Sequence, residues 1–297
     1  MLNVYVDKDV KGAELFIQVL ASSRLEINAF SCLTEIPHDQ VDVAVIWLKV
    51  PTCLKAFINL KLLLTSGSGV DHLINSDLLP KLVPIIRLVD KKLRNKVADY
   101  VIDAVAEYKS LIKELNTANI TVGMMGLGLI GETSSEKLKQ QGYNVIGWAK
   151  SDTKKRSISD VYTGLTGLHE FAKQSQVVVC QLPLTEDTKH ILNNSLFDSM
   201  PNEGYVINVG RGGHLNENDL IDSINKGHLK GACLDVFKNK PHPELIVLQN
   251  QDRIKLTHHI AGGIFPEEQA KYAIEVIEKF FTKEENIEGE VNFKEKY

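Results

Sequence analysis

One stretch constrains this chain more than any other: Ile120-Thr121-Val122-Gly123-Met124-Met125-Gly126-Leu127-Gly128-Leu129-Ile130-Gly131. It opens as an apolar run of the kind a buried strand carries, passes through Gly126-x-Gly128-x-x-Gly131, and continues into a helical pattern over residues 132–141. In such a turn Gly126 allows the tight reversal and Gly128 lets the backbone approach a ligand. Gly131 lets helix and strand pack closely. The amides at a helix start favour an anion, so the expected ligand is the pyrophosphate of a dinucleotide, held by Gly126, Gly128, Leu129, Ile130 and Gly131. The plainer alternative is a glycine-rich turn with no ligand. The order strand, glycines, helix, strand weighs against it.

Apolar runs at residues 2–6, 43–47, 61–65 and 83–88 read as strands, with a helical pattern over 10–20 and a short helix closing at 57–60. Residues 97–115 have helical periodicity and are expected to cross into the nucleotide region. There, strands are expected at 144–148, 177–180, 205–209, 232–237 and 254–257, with helices at 219–226 and 266–281. Alternating strands and helices imply an α/β protein whose ligands lie at the strand C-terminal ends. The expected division is a dinucleotide-binding domain over 95–270, a doubly wound parallel Rossmann sheet. It is inserted in a smaller α/β domain made of 1–94 and 271–297.

The bulk composition narrows the class. A length of 297 residues allows two cores, and 43% hydrophobic with 24% charged residues is ordinary for a globular protein. A net charge of −4 offers no electrostatic case for nucleic acid or an anionic membrane. The apolar runs are too short to span a bilayer, and the first residues read as a strand rather than a signal peptide. Cys32, Cys53, Cys180 and Cys233 are widely spaced, which fits reduced thiols in a cytoplasmic protein. No histidine, cysteine or acidic residues share the spacing of a metal site.

Three side chains of chemical interest fall at strand ends: Arg211, Asp235 and His259. Arginine is scarce here, and one set among glycines after a buried strand suits a carboxylate through its planar fork. His259 titrates near neutral pH and suits proton delivery. Ser66-Gly67-Ser68-Gly69 could form a nest of amides for an anion, or simply a turn.

Together these segments resemble the D-2-hydroxyacid dehydrogenase family. The match runs through Ser66-Gly67-Ser68-Gly69-Val70-Asp71-His72, Val97-Ala98-Asp99-Tyr100, the glycine turn, Gln181-Leu182-Pro183-Leu184-Thr185, Asn208-Val209-Gly210-Arg211-Gly212, Leu234-Asp235-Val236-Phe237 and Thr257-His258-His259-Ile260-Ala261-Gly262. Val45-Ile46-Trp47 and the region of Lys150 look closest to the glyoxylate/hydroxypyruvate reductases. The resemblance implies a flavodoxin-like smaller domain and NAD(P)H-dependent reduction of a small 2-oxo acid to the D-2-hydroxy acid. Arg211 and His259 would be catalytic, binding the substrate carboxylate and protonating its carbonyl. Gly67, Ser68 and Gly69 would offer amides to the carboxylate, and Trp47 would line the pocket. Asp235 would hold the nicotinamide carboxamide, with Leu182, Pro183 and Val209 also at the cofactor. Lys150 stands where NAD-preferring enzymes place an acid, so Lys150 and Ser151 suggest NADP, with NAD the alternative.

Three departures stand out. The family reads Asp-Val-Phe-x-x-Glu-Pro, whereas this chain has Lys240 where the carboxylate partner of the histidine belongs. His258 replaces the usual proline. The segment after the 97–115 helix is shorter than usual; it normally supplies much of a homodimer interface, which leaves that assembly open. Lys240 also keeps alive a reading from another class, a non-catalytic NAD(P)-binding redox-sensing regulator.

Overall fold

The structure is a computed structural model, and it describes every residue except 33–35, 75, 81, 113–118, 151–157, 159, 285–286 and 294–297. The chain begins with β1 (Leu2–Val6), α1 (Ala13–Ala21), β2 (Ile27–Phe30), β3 (Val43–Ile46), β4 (Leu62–Thr65) and β5 (Ile85–Arg87). Helix α2 (Lys91–Leu111) leads to β6 (Thr121–Met125), α3 (Leu129–Gln140), β7 (Asn144–Ala149), β8 (Val161–Thr163), α4 (Gly164–Gln174) and β9 (Val177–Cys180). Then come α5 (Asn194–Phe197), β10 (Gly204–Asn208), α6 (Glu217–Asn225), β11 (Leu229–Leu234), α7 (Pro243–Gln249), β12 (Ile254–Leu256) and α8 (Pro266–Phe281).

The chain forms two compact units, one of Met1–Leu93 with Ile264–Tyr297 and the other of Arg94–Gly263. In the first unit a five-stranded sheet runs in the order β2-β1-β3-β4-β5, parallel throughout. That is the flavodoxin-like order, with its switch point between β1 and β3. β3 and β4 are buried along their whole length, as continuous apolar runs should be. Helix α8 lays Ala270, Ala273, Val276 and Ile277 against the core that holds Phe16 and Leu20 of α1. An expected boundary at residue 270 would cut this helix. Its apolar stripe keeps all of it with the first unit.

The second unit holds a seven-stranded sheet, β12-β11-β10-β9-β6-β7-β8, again parallel throughout. The order reverses between β6 and β9, so the crevice expected of a doubly wound sheet opens beside the end of β6. One apolar core covers each face of this sheet. Helix α2 starts earlier than its apolar periodicity alone implies, because Asp90 caps it: its Oδ1 accepts from the amides of Lys92 and Leu93 at 2.8 and 3.0 Å. The expected end of this helix, and the segment tied to the homodimer question, run into 113–118, outside the described residues. The short helix expected to close at 57–60 is a 3-10 turn over Thr52–Ala56. Among the described residues no helix is long and apolar enough to cross a membrane.

Candidate active site

Every strand of the second sheet points the same way, so the loops leaving the strands gather along one edge. After β6 the glycine turn behaves as its spacing implies. Gly126 has φ +96, and a Cβ there would lie 2.7 Å from the Gln181 carbonyl oxygen. A Cβ on Gly131 would sit 1.9 Å from the Gly126 carbonyl oxygen. Gly128 is the N-cap of α3, offers no side-chain acceptor to the helix, and has open space around its Cβ position. A bare helix start under open space, with two glycines pressed close beneath it, fits a pyrophosphate. Leu129 and Ile130 open the helix there.

After β7, Lys150 is exposed and its Nζ lies 2.6 Å from the Asp187 carboxylate. That contact holds the Asp187 carboxyl below its ordinary range. With both side chains more than 60% exposed the pair is weak and exchangeable. Ser151 falls outside the described residues. After β9, Leu182 is buried and the Pro183 carbonyl accepts from the Thr188 hydroxyl at 2.7 Å and from His214 Nε2 at 3.2 Å.

The turn after β10 is built by two side chains that sequence patterns alone do not single out. Asn208, fully buried at the strand end, accepts from the Gly210 amide and donates to the Arg211 carbonyl. His214, also fully buried, accepts through Nδ1 from the Arg211 amide at 3.1 Å, which leaves Nε2 as the donor to Pro183. Arg211 itself donates from Nη1 to the Gly210 carbonyl at 2.8 Å. Val209 is tied to the preceding strand by its amide on the Cys180 carbonyl. The one sequence signal for this pair is a polar residue three positions before Arg211 and a histidine three after it, and it is a faint one.

Asp235, after β11, is the residue whose carboxylate the resemblance gives to a nicotinamide carboxamide. That carboxylate is 1% exposed and accepts within the protein on both oxygens, Oδ2 from a single amide. Oδ1 accepts from the Thr257 hydroxyl at 2.6 Å and the Ile260 amide at 2.9 Å, and Oδ2 from the Ala261 amide at 3.0 Å. The Asp235 carbonyl accepts from the His259 amide at 2.7 Å. Asp235 is thus the brace of the loop that comes after β12. His259 sits in that loop at φ 54, a left-handed conformation that costs a residue with a Cβ about 1–2 kcal/mol and is held by these bonds. His259 is exposed at the edge, and the neighbouring His258 ring lies 6.1 Å from that of Phe237. Lys240 is exposed in a surface depression lined also by His190, Glu217, Lys238 and His242.

In the first unit Trp47 comes directly after β3 at the switch point, half-buried, with Lys11 Nζ 5.2 Å from the centre of its ring. The loop after β4 is pinned by Gln269 on the Ser66 carbonyl and Arg87 on the Ser68 carbonyl. Of the three amides expected to face an anion, that of Gly67 turns back to the Thr65 hydroxyl at 3.4 Å. The amides of Ser68 and Gly69 have no acceptor among the described residues.

A Rossmann unit that presents a glycine turn, a basic residue at the end of its second strand, and arginine and histidine on one sheet edge defines a nicotinamide-dependent oxidoreductase. Residues 85–261 match the family model described as D-isomer specific 2-hydroxyacid dehydrogenase, NAD binding domain. The chain belongs to this family of NAD(P)-dependent enzymes. Glyoxylate/hydroxypyruvate reductase A of Klebsiella pneumoniae (strain 342) is 30% identical over 275 residues, 86% of this chain and 87% of that protein. Among solved structures, a D-isomer specific 2-hydroxyacid dehydrogenase from Xanthobacter autotrophicus Py2 in complex with NADPH and MES has a TM-score of 0.85 at 27% identity, covering 99% of both chains. The NADPH-dependent glyoxylate/hydroxypyruvate reductase from Sinorhizobium meliloti in complex with NADP and sulfate has a TM-score of 0.79 at 29% identity, covering 100% of both.

Proposed function

We propose that this protein reduces a small 2-oxo acid of the glyoxylate or hydroxypyruvate type to the D-2-hydroxy acid, with NADPH as the preferred reductant. The observation that carries the reading is the single edge on which the glycine turn, Lys150, Arg211 and His259 come after four parallel strands. The relatives named above, and NADP in the two solved structures, support it. When bound, the dihydronicotinamide supplies a hydride to the carbonyl carbon. Arg211 takes the substrate carboxylate in its fork, its orientation fixed by the bond from Nη1 to Gly210. His259 gives a proton to the carbonyl oxygen, which balances the hydride and leaves the hydroxyl. Lys150 exchanges Asp187 for a 2′-phosphate. In the first unit the amides of Ser68 and Gly69 suit a carboxylate.

One observation favours a second reading, a non-catalytic NAD(P)-binding regulator: Lys240 stands where the carboxylate partner of the histidine is expected. A panel of 2-oxo acids assayed with NADPH and NADH separates the two. Turnover of glyoxylate or hydroxypyruvate, fastest with NADPH and lost in Arg211→Lys while NADPH still binds, is expected. An ammonium does not reproduce the bidentate fork. NADPH binding without turnover of any member of the panel would overturn the enzyme reading, and near-normal turnover in Arg211→Lys would reassign that arginine to structure.

A further inference from the structure

Beneath the loop that carries His259 runs a part-buried chain of side-chain hydrogen bonds whose four members come from three separate segments. Asp235 anchors it. Backbone amides can only donate, so the contacts from Ile260 and Ala261 make both carboxylate oxygens acceptors. The Thr257 hydroxyl gives its one proton to Asp235 at 2.6 Å, so it must accept from Tyr100, whose hydroxyl lies 2.5 Å away. Tyr100 has then committed its own proton, and its oxygen accepts from the Cys233 thiol at 3.3 Å. The order is therefore fixed: thiol to phenol, phenol to hydroxyl, hydroxyl to carboxylate.

We infer that Tyr100 and Thr257 are positioning residues for the proposed reduction, acting through Asp235 to hold His259 in one orientation. The inference rests on His259 being the proton donor. Removing the Thr257 hydroxyl takes one of three donors from a buried carboxylate and orphans the Tyr100 proton, so the carboxylate is held by the two loop amides alone. The acceptor of the Ile260 and Ala261 amides then moves with the loop it should brace, and a left-handed histidine has less to hold it there. Burial pushes the Cys233 thiol up to about 11 and the Tyr100 phenol well above its usual range, so both donors keep their protons at neutral pH.

The test uses the full chain as Thr257→Val, Thr257→Ser and Tyr100→Phe, with His259→Gln as reference. Two quantities are read: kcat and KM for glyoxylate at saturating NADPH, and the imidazole 1H–15N signals of His259, assigned by their loss in His259→Gln. Thr257→Val should lower kcat about 10- to 100-fold, the scale of a small displacement of a reacting group, with little change in KM. It should also broaden or split the His259 signals. Thr257→Ser, which restores the hydroxyl, should recover both, and Tyr100→Phe should lie between. A purely structural role would lower melting temperature without splitting that signal. The inference fails if Thr257→Val keeps one sharp His259 signal and wild-type kcat, or if Thr257→Ser is as impaired as Thr257→Val. If Thr257→Val does not fold, an unchanged spectrum and kcat in Tyr100→Phe overturns the inference just as well. Full turnover in His259→Gln would remove His259 as proton donor, a separate failure, and the spectra would still report whether the chain fixes the loop.

Discussion

For the proposed reduction, the residue expected to bear on the proton donor through its charge is Lys240. A carboxylate beside an imidazole favours its protonated, donating form, and an ammonium opposes it. Lys240→Glu should therefore raise the rate of glyoxylate reduction and move upward the pH at which the rate falls. Because residue 240 is exposed, the displacement should be less than about one pH unit. A pH–rate profile of both proteins decides, and superimposable profiles would show that residue 240 has no electrostatic hold on the proton donor. Lys150 is the second residue on whose charge the proposed function depends. Lys150→Asp should shift the ratio of NADPH to NADH affinity on the order of tenfold toward NADH, read by fluorescence titration, since the pair with Asp187 is too exposed to fix the lysine in place. An unchanged ratio would discard Lys150 as the 2′-phosphate ligand. Arg211 and His259 are legible in the sequence because a rare or titratable residue comes after an apolar run. Tyr100 and Thr257 are not, because their hydroxyls meet across 157 positions of chain and nothing local marks the pairing. Asp235 stands out for its place at a strand end, but the donors that occupy its oxygens are visible only in three dimensions.

Among the elements, the turn from β6 into α3 makes the sharpest contrast between neighbouring glycines. Gly131→Ala puts a methyl against the Gly126 carbonyl, so helix and turn must separate. A loss of roughly 1–3 kcal/mol in stability and of NADPH binding is expected. Gly128→Ala meets nothing within 4 Å and has an ordinary φ of −85. It should fold like the wild type and lose affinity for NADPH alone. Thermal melts with NADPH titrations on both variants check the pair; equal melting temperatures would contradict the packing argument. Central strands such as β9 and β10 are readable because they are buried on both faces and so are largely apolar. The strands β2 and β8 show no such run. Each sits at a sheet edge, and Ile27-Asn28-Ala29-Phe30 and Val161-Tyr162-Thr163 are short and partly exposed, so packing never demanded an apolar sequence.

For the molecule as a whole, the alternation of strands and helices is enough to name a doubly wound α/β protein with an inserted nucleotide unit, but not the order of strands. Order is a matter of which neighbours share a ladder, and parallel partners are separated by whole helices in the sequence. The return of α8 to the first unit carries a consequence for how the chain is made. Synthesis runs from the N-terminus, so the first unit is begun before the second, and domains tend to fold as they emerge. Phe16 and Leu20 of α1 then wait without the α8 side of their core while some 170 residues of another unit are polymerised and shaped. Only when Ala270, Ala273, Val276 and Ile277 leave the ribosome does their cover arrive. The first unit thus starts before the second and finishes after it, and through that interval it exposes an apolar face that its own later helix is built to cover.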